Sequence, residues 1–341
     1  MTAGAPILVT GAAGFIGFHV ARRLLQLGRN VVGADNLNSY YDPALKRARL
    51  DQFKPVANFQ FEQIDLADRS GTAEFFATHK FGSAVHLAAQ PGVRHSLVDP
   101  HAYADANIVG FLNVLEGCRH NACGHLVYAS SSSVYGGNNP PFRTTDNVDH
   151  ALNFYGATKK ANELMAHAYA HLFALPATGL RFFTVYGPWG RPDMAVWLFT
   201  QAILQGRPVR LFGNGKMKRD FTYIDDVTEA IVRLIDRPAA PDPNWSAAAP
   251  NPATSFAPWR VYNIGNHTPV EVNELVRLIE QATGRVAERE LLPAQPGDMQ
   301  ETCADIADLE MSVGFRPATA LADGVGQFVE WYQAHVAVVQ H

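Results

Sequence analysis

A short apolar run followed by three evenly spaced glycines constrains the fold of this chain more than any other feature. The run at 7–9 is Ile-Leu-Val, and Gly11, Gly14 and Gly17 follow it just as an apolar pattern of helical periodicity begins. Glycines at a strand-to-helix turn let the backbone approach a pyrophosphate, and the amino terminus of the helix stabilises the phosphate charge. The sequence therefore predicts a nucleotide-binding strand, turn and helix at the start of an α/β fold.

Further apolar runs of strand length follow, separated by segments with helical patterning such as 103–118 and 155–173. Alternating strands and helices are typical of a parallel sheet covered on both faces. We therefore predict a Rossmann-type, doubly wound parallel sheet, which binds its ligand at the carboxyl ends of the strands. The predicted strands span 7–9, 31–35, 59–64, 84–87, 125–129 and 178–183.

The pattern becomes irregular after about residue 184. We predict a nucleotide-binding domain over 1–184, to which a strand near 259–265 returns, and a smaller α+β substrate-binding lobe over 185–341. The segment 237–258 is rich in Pro and Ala, and it is expected to be an exposed, mobile loop. The other elements predicted here are strands at 209–212, 220–224 and 261–264 and helices at 194–205 and 270–283.

Composition argues against several classes of protein. A net charge of −4 over 341 residues disfavours nucleic acid as a partner, since that partner usually requires a basic face. No apolar run reaches the roughly 18 residues that span a bilayer, and the first strand begins too early for a signal peptide, so a cytoplasmic protein with no membrane partner is expected. Cys118, Cys123 and Cys303 lack paired spacing and the histidines lack a zinc motif, which favours reduced thiols and no metal.

The second strand ends in Asp35, 24 residues after Gly11. A carboxylate at that position accepts hydrogen bonds from the ribose hydroxyls of adenosine and repels a 2′-phosphate, so the sequence favours NAD over NADP. The residues expected to bind the cofactor lie at the carboxyl ends of the first four strands. They are Gly11, Gly14, Phe15, Ile16, Gly17, Asp35, Asn36, Asn38, Asp65, Leu66, Leu87, Ala88, Ala89 and Gln90.

Tyr155 and Lys159 supply the predicted chemistry. A tyrosine four residues before a lysine places both side chains on one face of a helix, and the lysine ammonium can then stabilise a phenolate and lower the tyrosine pKa. The serine run at 130–133 precedes the tyrosine, and a serine hydroxyl there can hold the same substrate oxygen. This combination removes a proton from an alcohol while its carbon gives up hydride.

These residues resemble the extended short-chain dehydrogenase/reductase family over almost the whole chain, and within it the UDP-glucuronate 4-epimerases. The segments at 179–195 and 215–226 are the most specific, and Asp-Asn-Leu-Asn-x-Tyr-Tyr-Asp at 35–42 fits the same subgroup. The other two segments are Tyr-Ala-Ser-Ser-Ser-Ser-Val-Tyr-Gly at 128–136 and Tyr-Gly-Ala-Thr-Lys-Lys-Ala-Asn-Glu-Leu-Met-Ala-His at 155–167.

The resemblance implies C4 epimerisation of a UDP-sugar, with Tyr155 as the base, Lys159 as its partner and ligand of the nicotinamide ribose, and a serine on O4. Ser131 is the expected serine, with Ser132 and Ser133 open because adjacent residues face different ways. It also implies a homodimer built from the helices at 103–118 and 155–173. The remaining implied residues are Asn107 near the cofactor, Arg219 at the UDP diphosphate, Asp298 near the uridine, Thr184 and Arg191 at the sugar carboxylate, and Val209 in contact with substrate. Arg94, on the loop after the fourth strand, could touch the sugar.

Several alternatives stay open on the sequence. A UDP-glucuronate decarboxylase shares the first oxidation, and a UDP-glucose/UDP-galactose 4-epimerase remains possible, although Thr184 and Arg191 then lack a purpose. A 4,6-dehydratase needs an acidic pair where Ser132 and Ser133 stand. A nucleotide-sensing protein on an inactive fold would be expected to lose Tyr155 or Lys159. Arg191 could instead form a salt bridge within its loop, and Arg94 could cap its own loop.

Overall fold

The computed structural model describes residues 4–294 and 299–336. Its central feature is a sheet of seven parallel strands in the order β10-β6-β5-β4-β1-β2-β3. The strands of the chain are β1 (Ile7–Thr10), β2 (Val31–Asp35), β3 (Phe59–Gln63), β4 (Ser83–His86), β5 (Leu126–Ser131), β6 (Ala177–Phe182), β7 (Thr184–Tyr186), β8 (Val209–Phe212), β9 (Lys218–Tyr223), β10 (Trp259–Ile264), β11 (Pro269–Glu271) and β12 (Arg289–Leu292).

Helices cover both faces of this sheet and build the rest of the chain. They are α1 (Phe15–Gln26), α2 (Pro43–Asp51), α3 (Arg69–His79), α4 (Pro100–Tyr103), α5 (Gly110–His120), α6 (Phe154–Phe173), α7 (Ala195–Leu204), α8 (Ile224–Ile235), α9 (Val272–Thr283), α10 (Ala307–Val313) and α11 (Leu321–His335). A π-helical stretch, Ala104–Val109, joins α4 to α5. The predicted Rossmann-type, doubly wound sheet is therefore confirmed.

Alternation along the strands explains why the sheet is buried on both sides. In β1, Ile7 and Val9 face a core that includes Phe18 of α1 and Ile231 of α8. Leu8 faces the opposite core, which includes Phe111 of α5. Successive strand residues point to opposite faces, so a run that is apolar throughout suits a strand with helices on both sides.

The strand order determines where a ligand can bind. The chain runs outward from β1 through β2 to β3 and then crosses back to β4 beside β1. Such a reversal opens a crevice at the carboxyl ends of the strands. The ends of β1, β2 and β5, at Thr10, Asp35 and Ser131, all meet this edge.

Two smaller sheets lie in the second half of the chain. β9 pairs with β7 in parallel and with β11 in antiparallel, while β8 pairs with β12 in parallel. The return of β10 (Trp259–Ile264) to the edge of the large sheet agrees with the predicted strand near 259–265. The division into domains at about residue 184 stays a prediction.

The Pro- and Ala-rich segment 237–258 is exposed over most of its length and buried near its end. Ala253, Ser255 and Ala257 are buried, and the hydroxyl of Ser255 lies 2.8 Å from Nε2 of His167 on α6. The end of the segment therefore packs against α6, whereas most of the residues at 237–252 are exposed. Within the part of the chain that the structure describes, no helix is both long and apolar enough to cross a membrane.

Candidate active site

The glycine turn after β1 forms a cradle that side chains would fill. Gly11 has a φ of 68°, and a Cβ on it would lie 2.9 Å from the backbone nitrogen of Ala88. A Cβ on Gly17 would lie 2.1 Å from the carbonyl oxygen of Gly11. Gly14 precedes α1 without any side-chain cap, so the first amide groups of the helix are left for a ligand. This geometry fits the pyrophosphate of a dinucleotide.

The end of β2 provides the position of the adenosine ribose. Asp35 is buried, and its carboxylate accepts from the amide of Leu37 at 2.8 Å. Lys46 from α2 lies 3.5 Å from that carboxylate and donates to the side-chain oxygen of Asn38 at 3.0 Å. Burial lowers the pKa of Lys46, while Asp35 opposes this effect. Lys46 was not predicted, although it follows Asp35 by eleven residues and lies in the first turn of the next helix.

The glycine turn and Asp35 line a cavity at the carboxyl ends of the strands. Tyr155, Lys159 and Ser131 line the same cavity. The hydroxyl of Ser131 accepts from the backbone amide of Ser133 at 3.1 Å and acts to lower the pKa of the neighbouring Tyr155, and the ammonium of Lys159 donates to the carbonyl oxygen of Ala129 at 3.1 Å. β5 ends at Ser131 and α6 begins at Phe154, capped by the side chain of Asn153, so both elements deliver these groups to the sheet edge.

The two ionisable groups are both strongly desolvated. Burial raises the pKa of Tyr155, and the Ser131 hydrogen bond and the charge of Arg191 act against that rise. Burial also lowers the pKa of Lys159 to about 8. The sequence predicted a lowered tyrosine pKa beside an ammonium, and the structure gives the opposite direction. The reason is that spacing along a helix does not reveal desolvation, which penalises the charged form of each group.

The serine run divides between two environments. The Ser130 hydroxyl donates to Glu163 at 2.6 Å, and Glu163 forms a two-pronged ion pair with Arg181 at 2.9 Å for each contact. Both partners of this pair are about 1% exposed. The Ser130 hydroxyl is thereby directed into a buried network, whereas Ser131 is the serine of the run that lowers the pKa of Tyr155.

A π-helical turn places Asn107 behind α6. Its side-chain oxygen accepts from the amide of Gln90 at 2.8 Å, and its amide donates to Thr158 at 3.1 Å. Its backbone carbonyl accepts from the side chain of Asn162 at 2.6 Å. Asn107 therefore joins the loop after β4 to the helix that carries Tyr155.

The loop after β7 brings Arg191 into the cavity. The guanidinium binds Asp193 with both prongs, Nε to Oδ1 at 3.0 Å and Nη2 to Oδ2 at 2.5 Å. Tyr40 donates its hydroxyl to the same carboxylate at 3.1 Å. Arg191 therefore forms a salt bridge within its own loop, the alternative that the sequence left open, and it also lines the cavity.

The structure brings most of the predicted residues together around this cavity. Those that line it are Gly11, Gly14, Phe15, Ile16, Gly17, Asp35, Asn36, Asn38, Asp65, Leu66, Leu87, Ala88, Ala89, Ser131, Tyr155, Lys159 and Arg191. Residues that line it and were not predicted include Lys46, Tyr40, Tyr41, Phe182, Phe183 and Met194. The aromatic and apolar residues among them could not be predicted to line the cavity, because any buried position near the end of a strand favours the same residue types.

The other predicted residues, so far as the structure describes them, lie outside the lining of this cavity. Arg94 stacks over the ring of Phe212 at 4.7 Å, and Arg219 donates to its neighbour's carbonyl at Lys218. Val209 and Thr184 begin β8 and β7. Ser132 and Ser133 begin a short 3₁₀ turn. Gln90 and Asn107 are hydrogen-bonded to each other. Asp298 lies outside the described residues.

The parallel sheet, the glycine cradle and the Tyr-Lys-Ser group define a dinucleotide-dependent enzyme acting on an alcohol. The chain belongs to the NAD dependent epimerase/dehydratase family, whose pattern matches residues 7–265. This confirms the predicted family and its cofactor, NAD. The cradle formed by Gly11 and Gly17 and the carboxylate of Asp35 are the observations of this structure that fit that cofactor.

Known relatives indicate the subgroup. The chain is 47% identical to a probable UDP-glucuronate 4-epimerase of Rhizobium meliloti (strain 1021), over 97% of this chain and 99% of the relative. It is 42% identical to UDP-glucuronate 4-epimerase 3 of Arabidopsis thaliana, over 96% of this chain and 76% of the relative. A crystal structure of UDP-glucuronic acid 4-epimerase from Bacillus cereus, in complex with UDP-glucuronic acid and NAD, matches with a TM-score of 0.86 and 31% identity, over 96% of this chain and 99% of that one.

Proposed function

We propose that this protein interconverts UDP-glucuronate and UDP-galacturonate by reversible epimerisation at C4 through a 4-keto intermediate. The observation that carries the proposal is the place of Arg191, a guanidinium in the same cavity as Tyr155 and Ser131. The carboxylate of a uronate can pair with the edge of this guanidinium that Asp193 does not occupy, whereas a neutral sugar offers that edge no opposite charge. The similarity to UDP-glucuronate 4-epimerases agrees with this choice.

Tyr155 takes the proton of the C4 hydroxyl, and Ser131 shares that oxygen. The hydrogen bond between the two side chains favours the phenolate, as does the positive charge of Arg191. When bound, NAD supplies the hydride acceptor for C4 and returns the hydride to the opposite face of the sugar. Gly11, Gly14, Gly17, Asp35 and Lys159 are the residues that would hold it.

Epimerisation requires that the keto sugar present both faces to one fixed cofactor. Tyr155 and Ser131 must therefore act on O4 in two orientations, while the UDP end stays bound. Binding energy from the nucleotide is suited to this task, because it anchors the molecule without fixing the reacting ring. Arg219, Val209 and Asp298 stay predicted contacts of the UDP end, and Thr184 and Arg94 stay predicted contacts of the sugar.

A substrate comparison tests the proposal. The ratio of kcat/KM for UDP-glucuronate to that for UDP-glucose is expected to exceed about a hundredfold, since a buried Arg-carboxylate pair contributes roughly 3 kcal/mol. Arg191→Ala should reduce that ratio by removing the discrimination. Turnover of UDP-glucose at a rate equal to or above that of UDP-glucuronate would instead favour the neutral-sugar epimerase.

We also propose that the enzyme is a homodimer that uses the outer faces of α5 and α6. Leu164 and Leu172 lie on one face of α6 and are 60% and 66% exposed, and Phe173 follows at 39%. Exposed apolar side chains at this spacing suit packing of α6 against a second copy. Light scattering after size exclusion is expected to give twice the chain mass, and Leu164→Glu with Leu172→Glu to give the mass of one chain.

A further inference from the structure

The partner of Arg191 is itself fixed from outside the loop. Asp193 receives both prongs of the guanidinium and also the hydroxyl of Tyr40, which comes from the segment after β2. The three side chains are partly buried, and Tyr40 and Arg191 both line the cavity. The Arg191 charge holds the pKa of the Asp193 carboxyl below its ordinary value. Asp193 is therefore a carboxylate in the unliganded site.

An arginine can present two edges to carboxylates. One edge is formed by Nε and Nη2 and the other by Nη1 and Nη2, and each can hold a carboxylate with two parallel hydrogen bonds. Asp193 takes the first edge. The second edge is the one left for a ligand, and its direction is set because the guanidinium is planar and its first edge is bound.

We propose that Asp193 is a positioning residue that sets the orientation of Arg191 toward the sugar carboxylate, and that Tyr40 holds Asp193 for this purpose. The inference rests on the proposed function, because it needs a uronate in the cavity. It extends that function by assigning control of the reaction outcome to two residues that do not touch the reacting carbon.

The outcome at risk is loss of CO₂. With a ketone at C4 and a carboxylate on C5, the intermediate is a β-keto acid. If the bond from C5 to the carboxylate aligns with the π orbital of the ketone, it breaks, and its electron pair enters the ketone to give an enolate. CO₂ leaves as that bond breaks, and C5 of the enolate then takes a proton from water to give the 4-keto pentose. A fixed Arg191 keeps the carboxylate near the plane of the ketone, where this overlap is poor.

Three variants separate orientation from charge. Asp193→Ala removes the anchor, and the fraction of product that has lost CO₂ is expected to rise about tenfold, the scale of one charge-assisted hydrogen bond. Asp193→Asn keeps one acceptor oxygen and should give a smaller rise. Tyr40→Phe removes only the hydroxyl that holds Asp193. It should also raise the fraction of product that has lost CO₂, by the smallest amount of the three variants.

A double variant tests whether Asp193 acts through Arg191. If it does, Arg191→Ala combined with Asp193→Ala should give the product ratio of Arg191→Ala alone, because the second change removes nothing further. Asp236→Ala is the matched control, since it removes a two-pronged pair with Arg29 that is exposed and outside the cavity. Its product ratio should equal that of the wild type.

The readout is proton NMR of the nucleotide sugars together with trapped CO₂. A wild-type ratio in Asp193→Ala, or fully additive effects in the double variant, would overturn the inference and leave the epimerase assignment intact. Wild-type enzyme that makes no UDP-galacturonate would overturn the proposed function and the inference with it. Should Asp193→Ala fail to fold, Asp193→Asn and Tyr40→Phe decide by the same criterion.

Discussion

The guanidinium of Arg49 binds the carbonyl oxygen of Trp189 through two of its nitrogens, at 3.2 and 2.7 Å. The same group donates to the carbonyl oxygens of Ala13 at 2.8 Å and Gly190 at 3.1 Å. Arg49 is fully buried on α2, so one side chain ties the glycine cradle to the loop that carries Arg191. The glycine cradle and the loop that carries Arg191 are thereby held at a fixed separation.

Loss of this tie should destabilise the whole protein. Arg49→Met leaves three buried carbonyl groups without their donor, and we expect the free energy of unfolding to fall by about 3 kcal/mol or more. Urea unfolding measures the change. Arg47→Met, on an exposed position of the same helix, is the control and should change stability by less than about 0.5 kcal/mol.

The pH dependence of catalysis should follow the groups around Tyr155. Catalysis needs the deprotonated tyrosine, so kcat/KM rises with pH through its pKa. Because the charge of Arg191 and the Ser131 hydrogen bond both lower that pKa, Arg191→Ala and Ser131→Ala should each move the rising limb to higher pH. If the rising limb of kcat/KM lies at the same pH in both variants as in the wild type, a group other than Tyr155 determines it.

Lys159 should reduce stability while serving function. Burial lowers its pKa from 10.5 to about 8, so between those values the unfolded chain binds more protons than the folded one. Wild-type stability is therefore expected to rise with pH over that window, and below pH 8 the buried ammonium costs on the order of 3 kcal/mol.

Lys159→Met should accordingly be more stable than the wild type at pH 7 and lose this advantage above about pH 10.5. Its turnover should fall by at least about a hundredfold. Lys160→Met, which alters the neighbouring, less buried lysine, provides the comparison. Lower stability of Lys159→Met at pH 7 would contradict the account of its desolvation.

Two buried histidines should make the protein sensitive to acid. Burial lowers the pKa of His86 and of His19 from 6.5 to about 3 in each case. Both stay neutral in the fold, whereas the unfolded chain takes up their protons, so stability is lost as the pH falls from 6.5 toward 3. Each histidine contributes a slope of about 1.4 kcal/mol per pH unit. His86→Asn should reduce the measured slope between pH 4 and 6 by one such increment.

The fold could be predicted from the sequence because the patterns that identify it are local. The apolar run at β1, the three glycines and the acidic end of β2 identify the nucleotide crevice without any tertiary information. The contacts that refine the site are long-range. Arg49 meets Trp189 across 140 positions of the chain, and Tyr40 meets Asp193 across 153. The spacing of residues along the chain does not predict such contacts. Nor does it predict the desolvation that raises the pKa of Tyr155 instead of lowering it.

The serine run shows the same limit at shorter range. Four consecutive serines give no indication of which hydroxyl faces the substrate. The buried pair of Glu163 and Arg181 decides this by binding Ser130, which leaves Ser131 beside Tyr155. Glu163 follows Tyr155 by eight residues on α6, but its partner comes from β6, and only the folded chain joins them.

The most direct test of the proposed epimerase function is a product analysis without added cofactor. Purified protein is incubated with UDP-glucuronate, and proton NMR follows the nucleotide sugars with time. We expect UDP-galacturonate at constant total uronate, because NAD stays bound and is regenerated in each turnover. Formation of UDP-pentose with CO₂ as the main products, or turnover of UDP-glucose without turnover of UDP-glucuronate, would contradict it.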